Sequence, residues 1–147
     1  MKQVDTNEYV SMLKGLVEEG HTVSMLISGS SMAPFLIHQR DTVWFRAPDR
    51  EPRTGDMVFY RRQSGQYVLH RICRVKKDGY YLIGDNQTQV EGPLHREQIF
   101  ALVVKVRRKG KDLEPGSFWW EFFARVWPRV IPLRRWILTA YGLIFHR

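Results

Sequence analysis

Between residues 22 and 108 the chain alternates short β-branched and aromatic runs with Gly, Pro, Asp and Asn, and no helical period separates them. The runs are Val23 to Ser28, Thr42 to Arg46, Met57 to Arg61, Gln66 to Val75, Tyr80 to Gly84 and Ile99 to Arg107. Such residues fit a pleated, half-buried surface, and the punctuation between them leaves no room for crossover helices. The pattern predicts a mainly β fold, a compact antiparallel or mixed sheet. Ahead of it, Tyr9, Val10, Met12, Leu13, Leu16 and Val17 recur at spacings of three and four between Asn7 and Gly20. This predicts a short amphipathic helix over 7–19, with Asn7 as its cap and Gly20 as its stop. At 147 residues the chain can bury one core but not two.

Charge and cysteine content narrow the chemistry. There are 23 basic and 15 acidic side chains, a formal net charge of +8, so an anionic partner is expected, although charge alone does not choose among nucleic acid, lipid and acidic protein. Cys73 is the sole cysteine, which excludes a disulfide framework and a Cys-based zinc site. No metal or cofactor is expected. The first thirty residues hold no apolar run longer than Val23 to Ile27, so neither a signal peptide nor an N-terminal span is expected.

From Phe118 onward the composition turns aromatic and basic: Trp119, Trp120, Phe122, Phe123, Trp127, Trp136, Tyr141 and Phe145 interleave with Arg125, Arg129, Arg134 and Arg135, broken by Pro128 and Pro132. The longest apolar stretch, Trp136 to Phe145, is half of the roughly 20 residues a spanning helix needs. Two readings have equal weight. The tail lies on an anionic membrane surface, or it packs an aromatic face on the β domain. No recognised nucleic-acid module is present, so no specific nucleic acid is expected.

The segment Ile27-Ser28-Gly29-Ser30-Ser31-Met32-Ala33-Pro34 ends the first strand in a turn that Pro34 keeps from becoming an ordinary helix. Small residues there allow a sharp turn that presents consecutive N–H groups, the requirement of an oxyanion site. Gly29-x-Ser31-x-Ala33 touches on the nucleophile elbow of α/β-hydrolases, but that motif needs a following helix and a parallel sheet. His70 lies in the run Tyr67 to Val75, on one face with Val68 and Ile72. If Asp78-Gly79 is the two-residue turn that follows, Lys77 pairs with Tyr80 and Asp85 falls opposite Ile72, diagonal to His70. A carboxylate there could orient the imidazole as a base for a serine. A slip of one residue would turn Asp85 to the other face.

Four motifs then stand in order: Ser28-Gly29-Ser30-Ser31-Met32-Ala33-Pro34, Gly55-Asp56-Met57-Val58, Leu69-His70-Arg71-Ile72 and Gly84-Asp85-Asn86. Together they resemble the type I signal peptidases and their relatives, the self-cleaving SOS-response repressors, over about Val23 to Val106. The resemblance implies a β catalytic fold with the serine before Met, Ser31, as nucleophile. It places His70 where the housekeeping enzymes have lysine, as in the histidine-type members. Those members carry a further acid after the Gly-Asp-Asn box, and Glu91 stands in roughly that place; the hairpin geometry favours Asp85. Asp56 reads as a turn residue. The repressor branch is disfavoured, because neither an Ala-Gly nor a Cys-Gly bond occurs in the chain.

The expectation is therefore a Ser–His serine endopeptidase acting on a signal, leader or propeptide segment bound extended. Ser31 and His70 react, Asp85 or alternatively Glu91 orients the imidazole, and the backbone N–H groups of Ser30 and Ser31 receive the oxyanion. With the imidazole in its ordinary range, the base would titrate at about 6.5. Residues 1–108 form the catalytic β domain with its helix, and 109–147 a linker and an amphipathic tail that either lies on a membrane surface or packs on the domain; the protein is expected at a membrane periphery or in the cytoplasm. The competing class is a non-catalytic, membrane-surface or nucleic-acid-binding adaptor on the same fold.

Overall fold

The computed structural model describes residues 6–134, 136–137 and 139–140. The predicted helix is α1, Thr6–Glu18, and it buries Val10, Leu13 and Val17 while Met12 stays in solvent. Asn7 is not its cap: the side-chain oxygen of Asn7 accepts the Tyr67 N–H and ties the helix to the sheet. Gly20 does end it. At φ +96° it lets the N–H groups of Gly20 and His21 return to the carbonyls of Val17 and Leu16, the paired bonds of a left-handed helix stop.

The described residues then form an antiparallel sheet of eight strands: β1 Val23–Leu26, β2 Thr42–Arg46, β3 Met57–Arg61, β4 Tyr67–Lys76, β5 Gly79–Ile83, β6 Glu91–Leu94, β7 Ile99–Arg108 and β8 Lys111–Leu113. Their order is β1-β2-β7-β3-β4-β5-β6, with β8 paired to β7. The mainly β expectation thus holds, and β6 and β8 are additions to the six predicted runs. The central strand β3 is buried on both faces. Met57 and Phe59 join the cluster beneath α1, whereas Val58 and Tyr60 join a second cluster with Ile72, Leu82 and Leu102, as the two-residue period of a strand requires.

Part of the tail belongs to the core. A helical turn at Phe118–Glu121 (α2) runs into a π-type turn to Val126 and a 3₁₀ segment to Leu133. Trp120, Phe123 and Trp127, spaced as one helical face, are buried in the cluster of α1, β2 and β3, with the Phe123 ring tilted against Phe35 at 4.7 Å between centroids. The packing reading therefore describes this face, while Phe118, Trp119, Trp136 and Ile137 remain exposed. Tyr141 and Phe145 lie outside the described residues. Among the described residues no helix is long and apolar enough to cross a membrane.

Candidate active site

Ser31 follows the end of β1 on a loop fixed by its own apolar residues. Met32, Phe35 and Leu36 are sunk in the core, and Leu36 N–H bonds back to the Met32 carbonyl, so the half-buried Ser31 is held at the surface end of an anchored turn. Gly29 stands at φ +89° and donates its N–H to His38 Nδ1. Among the described residues no hydrogen bond is made by the amides of Ser30 and Ser31, leaving both N–H groups available to an incoming oxygen.

Under this loop lies the Gly84-Asp85-Asn86 turn. Asn86 N–H donates to the Ser31 carbonyl at 2.9 Å, and a Cβ placed on Gly84 would stand 2.5 Å from that same oxygen. Only glycine fits, so this turn fixes the height of the Ser31 backbone. The turn is in turn fastened by two buried arginines. Arg71 forks onto Asp85 at 2.9 and 2.8 Å and donates to the Gly55 carbonyl, while Arg134, from the tail, donates to the carbonyls of Gly84, Gln87 and Trp127. Burial without a carboxylate partner pulls the Arg134 guanidinium below its ordinary range, despite the attraction of Asp85. Trp127 Nε1–H completes the clamp on the Asp85 carbonyl.

His70 sits on β4 opposite Val58 and is 4% exposed. Its Nδ1 lies 3.0 Å from the Tyr60 hydroxyl, which donates to Glu91 Oε1 at 2.7 Å; Glu91 is held by a two-pronged Arg62 at 2.9 Å on each oxygen. Tyr60 pairs with Val68, which makes it the diagonal cross-strand neighbour of His70 on the same face. Burial chiefly lowers the His70 pKa, to about 4, with Glu91 opposing this and Arg62 adding to it. Burial alone would raise Glu91, but hydrogen bonds from Arg62 and Tyr60 outweigh it and hold the carboxyl below its usual range. Tyr60 is pushed well above the ordinary phenol range by burial and by Glu91.

Ser31 and His70 line one cleft of about 310 Å³, together with Met25, Leu69, Arg62 and Gln87. Among the described residues no direct hydrogen bond joins them; such bonds commonly tighten only when substrate is bound.

Asp85 is not brought to His70. The hairpin turns at Lys77-Asp78, pairing Lys76 with Gly79, and a bulge between Ile72 and Arg74 shifts the register again, so that Arg71 faces Ile83. The net shift is odd, which moves Asp85 to the Arg71 face. The acid on the histidine network is Glu91, acting through Tyr60. Tyr60 and Arg62 were not singled out from sequence, though pairing the runs Met57 to Arg61 and Gln66 to Val75 would have put Tyr60 beside His70. Asp56 is a turn residue as expected, accepting from Arg50 and from the Arg53 N–H.

Asp85→Asn is accordingly expected to act on stability. It strips a carboxylate from a guanidinium that is 1% exposed, at a cost of about 3–5 kcal/mol and a melting temperature lower by roughly 10 °C. Glu91→Gln, at a half-solvated site, should leave the thermal melt almost unmoved. Equal melts for the two variants would contradict this division of labour.

A family model described as Peptidase S24-like matches residues 1–106, a span that contains Ser31, Tyr60, His70, Asp85 and Glu91. No curated protein and no solved structure gives a match.

Proposed function

The chain belongs to the Peptidase S24-like family, which unites self-cleaving serine peptidases with signal-peptidase-like proteins, and from that premise we propose that it is a Ser–His serine endopeptidase. Ser31 Oγ attacks the scissile carbonyl while His70 takes its proton; the acyl-enzyme forms as the peptide C–N bond breaks and His70 returns that proton to the leaving amine. Water, deprotonated by the same imidazole, then hydrolyses the ester and restores Ser31. The Ser30 and Ser31 N–H groups receive the oxyanion.

The observation that carries this reading is the placement of Ser31 and a buried histidine on one cleft, with a histidine whose environment keeps it neutral. Among the described residues β1 pairs with β2 alone, which leaves its outer edge without a strand beside the cleft, and an extended peptide added there would lead its carbonyl past Ser31. A cleft of this volume suits a short side chain next to the scissile bond. A leader, signal or propeptide segment is the substrate class we propose. The exposed Phe118, Trp119 and Trp136, in a chain of net charge +8, make an anionic membrane surface the partner we propose for the outer face of the tail.

The test is the pH profile. A base with a pKa of about 4 is already neutral through the physiological range, so the acid limb of kcat/KM should fall near 4 rather than near the free imidazole value of about 6.5. The same shift weighs on stability. Unfolded His70 would bind a proton at about 6.5 and the folded form only near 4, so its contribution is whole above pH 6.5 and is lost as pH falls toward 4, on the order of 3 kcal/mol in all. An acid limb at pH 6.5 would mean a solvated His70 and contradict the buried-base reading.

A further inference from the structure

Tyr60 has one proton and two neighbours that compete for it. Glu91, ionised and pinned by Arg62 on both oxygens, can only accept, and its 2.7 Å bond to the Tyr60 hydroxyl is the shorter of the two. The hydroxyl proton therefore belongs to Glu91, and Tyr60 Oη turns a lone pair toward His70 Nδ1 at 3.0 Å. For that contact to be a hydrogen bond, Nδ1 must carry the imidazole proton. No other protein group meets the ring nitrogens among the described residues.

Resting on the serine peptidase reading, we propose that Tyr60 is a positioning residue for the reaction: by accepting from Nδ1 and donating to Glu91 it fixes the Nδ1-protonated tautomer of His70, so that the basic lone pair stays on Nε2, the nitrogen left for Ser31. Glu91 acts at one remove, by setting which way the tyrosine points. In a serine triad the acid touches the histidine and does both tasks at once, orienting the ring and stabilising its charged form. Here a neutral phenol stands between, and the tautomer is set without a carboxylate on the ring. A phenol held above its ordinary range stays protonated throughout the working pH, so the relay does not lose its donor.

The direction of the chain can be reversed at its far end. Glu91 Oε1 accepts from both Tyr60 and Arg62, so a Gln amide oxygen would keep both bonds, whereas Glu91→Leu removes the acceptor and Arg62, a pure donor, cannot replace it. The Tyr60 proton then turns to His70 Nδ1, and the imidazole is driven to the Nε2-protonated form, which cannot accept from Ser31. Tyr60→Phe removes the acceptor and leaves the tautomer unspecified, with the ring packing retained.

The experiment is ¹⁵N NMR of the imidazole in the intact chain, with kcat/KM on a soluble peptide measured in parallel. The wild-type spectrum should show Nδ1 protonated and Nε2 bare. Glu91→Leu should shift the protonated nitrogen to Nε2 and lower kcat about 10²- to 10⁴-fold, since a wrong tautomer costs about 10⁴-fold in a serine triad. Tyr60→Phe should lower kcat by a factor of about 10 to 100, and in both variants KM should change little. An Nε2-protonated imidazole in the wild type overturns the proposal whether or not either variant folds, and so does wild-type kcat in both folded variants. An Nδ1-protonated wild type that flips in Glu91→Leu, in a chain whose Ser31 is inert, upholds the tautomer assignment and overturns the peptidase reading instead.

Discussion

Replacing Ser31 by Ala is expected to lower kcat/KM by about 10⁴- to 10⁶-fold, and replacing His70 by Ala should cost as much, because nucleophile and base act as one unit. The double variant should be no worse than either single one, and any residual rate would come from substrate binding and the Ser30 and Ser31 amides. The two substitutions differ in what else they disturb. Ser31 projects from a loop whose anchors are Met32, Phe35 and Leu36, so its replacement should leave the thermal melt unchanged. His70→Ala leaves the buried Tyr60 hydroxyl with Glu91 alone and opens a small void, at a cost of about 1–3 kcal/mol. Steady-state rates beside melting curves separate loss of chemistry from loss of fold. Full activity in either folded variant would contradict the Ser–His assignment.

Deleting residues 118–147 should abolish the cooperative melt. Trp120, Phe123 and Trp127 are each under a tenth exposed and share the core of the sheet. Removing a buried aromatic side chain costs about 3–5 kcal/mol, so losing three approaches or exceeds the roughly 5–15 kcal/mol that holds a domain together. Arg134 adds a direct link to the site, since the carbonyls of Gly84 and Gln87 that it holds belong to the turn supporting Ser31. The β domain is therefore not expected to stand alone as a soluble peptidase, contrary to what a peripheral tail would allow. Sedimentation of the intact protein with anionic vesicles reports separately on the exposed Phe118, Trp119 and Trp136. A truncated chain that melts sharply and cleaves peptide would contradict the packing described here.

The sheet was legible because its strands alternate and its turns are marked. Helix α1 was legible from its 3.6-residue period, which Val10, Leu13 and Val17 realise by burial. Strand β6, Glu-Gly-Pro-Leu, was not legible, because Gly and Pro are poor strand residues and only pairing with β5 makes it one. Ser31, His70 and Glu91 could each be found as single residues. Their connections could not, since these depend on register. The two-residue turn lies one position before Asp78-Gly79, and the bulge at Cys73 is unmarked in the sequence; together they exchange the partners of Asp85 and His70. Arg71 does carry a signal: it stands between His70 and Ile72 in a run bound for the interior, where a guanidinium needs buried acceptors and is best matched by a carboxylate. Asp85 supplies it. The clamp by Arg134 is a contact across fifty positions that no local pattern encodes.

The central claim is that Ser31 is a nucleophile activated by His70. Its most direct measurement is labelling of the intact chain at neutral pH with a serine-reactive acylating probe, followed by mass mapping of the modified residue. The serine peptidase reading predicts one modified serine, Ser31, with labelling lost in Ser31→Ala and strongly slowed in His70→Ala. A folded chain that stays unlabelled, or that is labelled at another serine at a rate indifferent to His70, would contradict it and leave the non-catalytic adaptor as the reading of this fold.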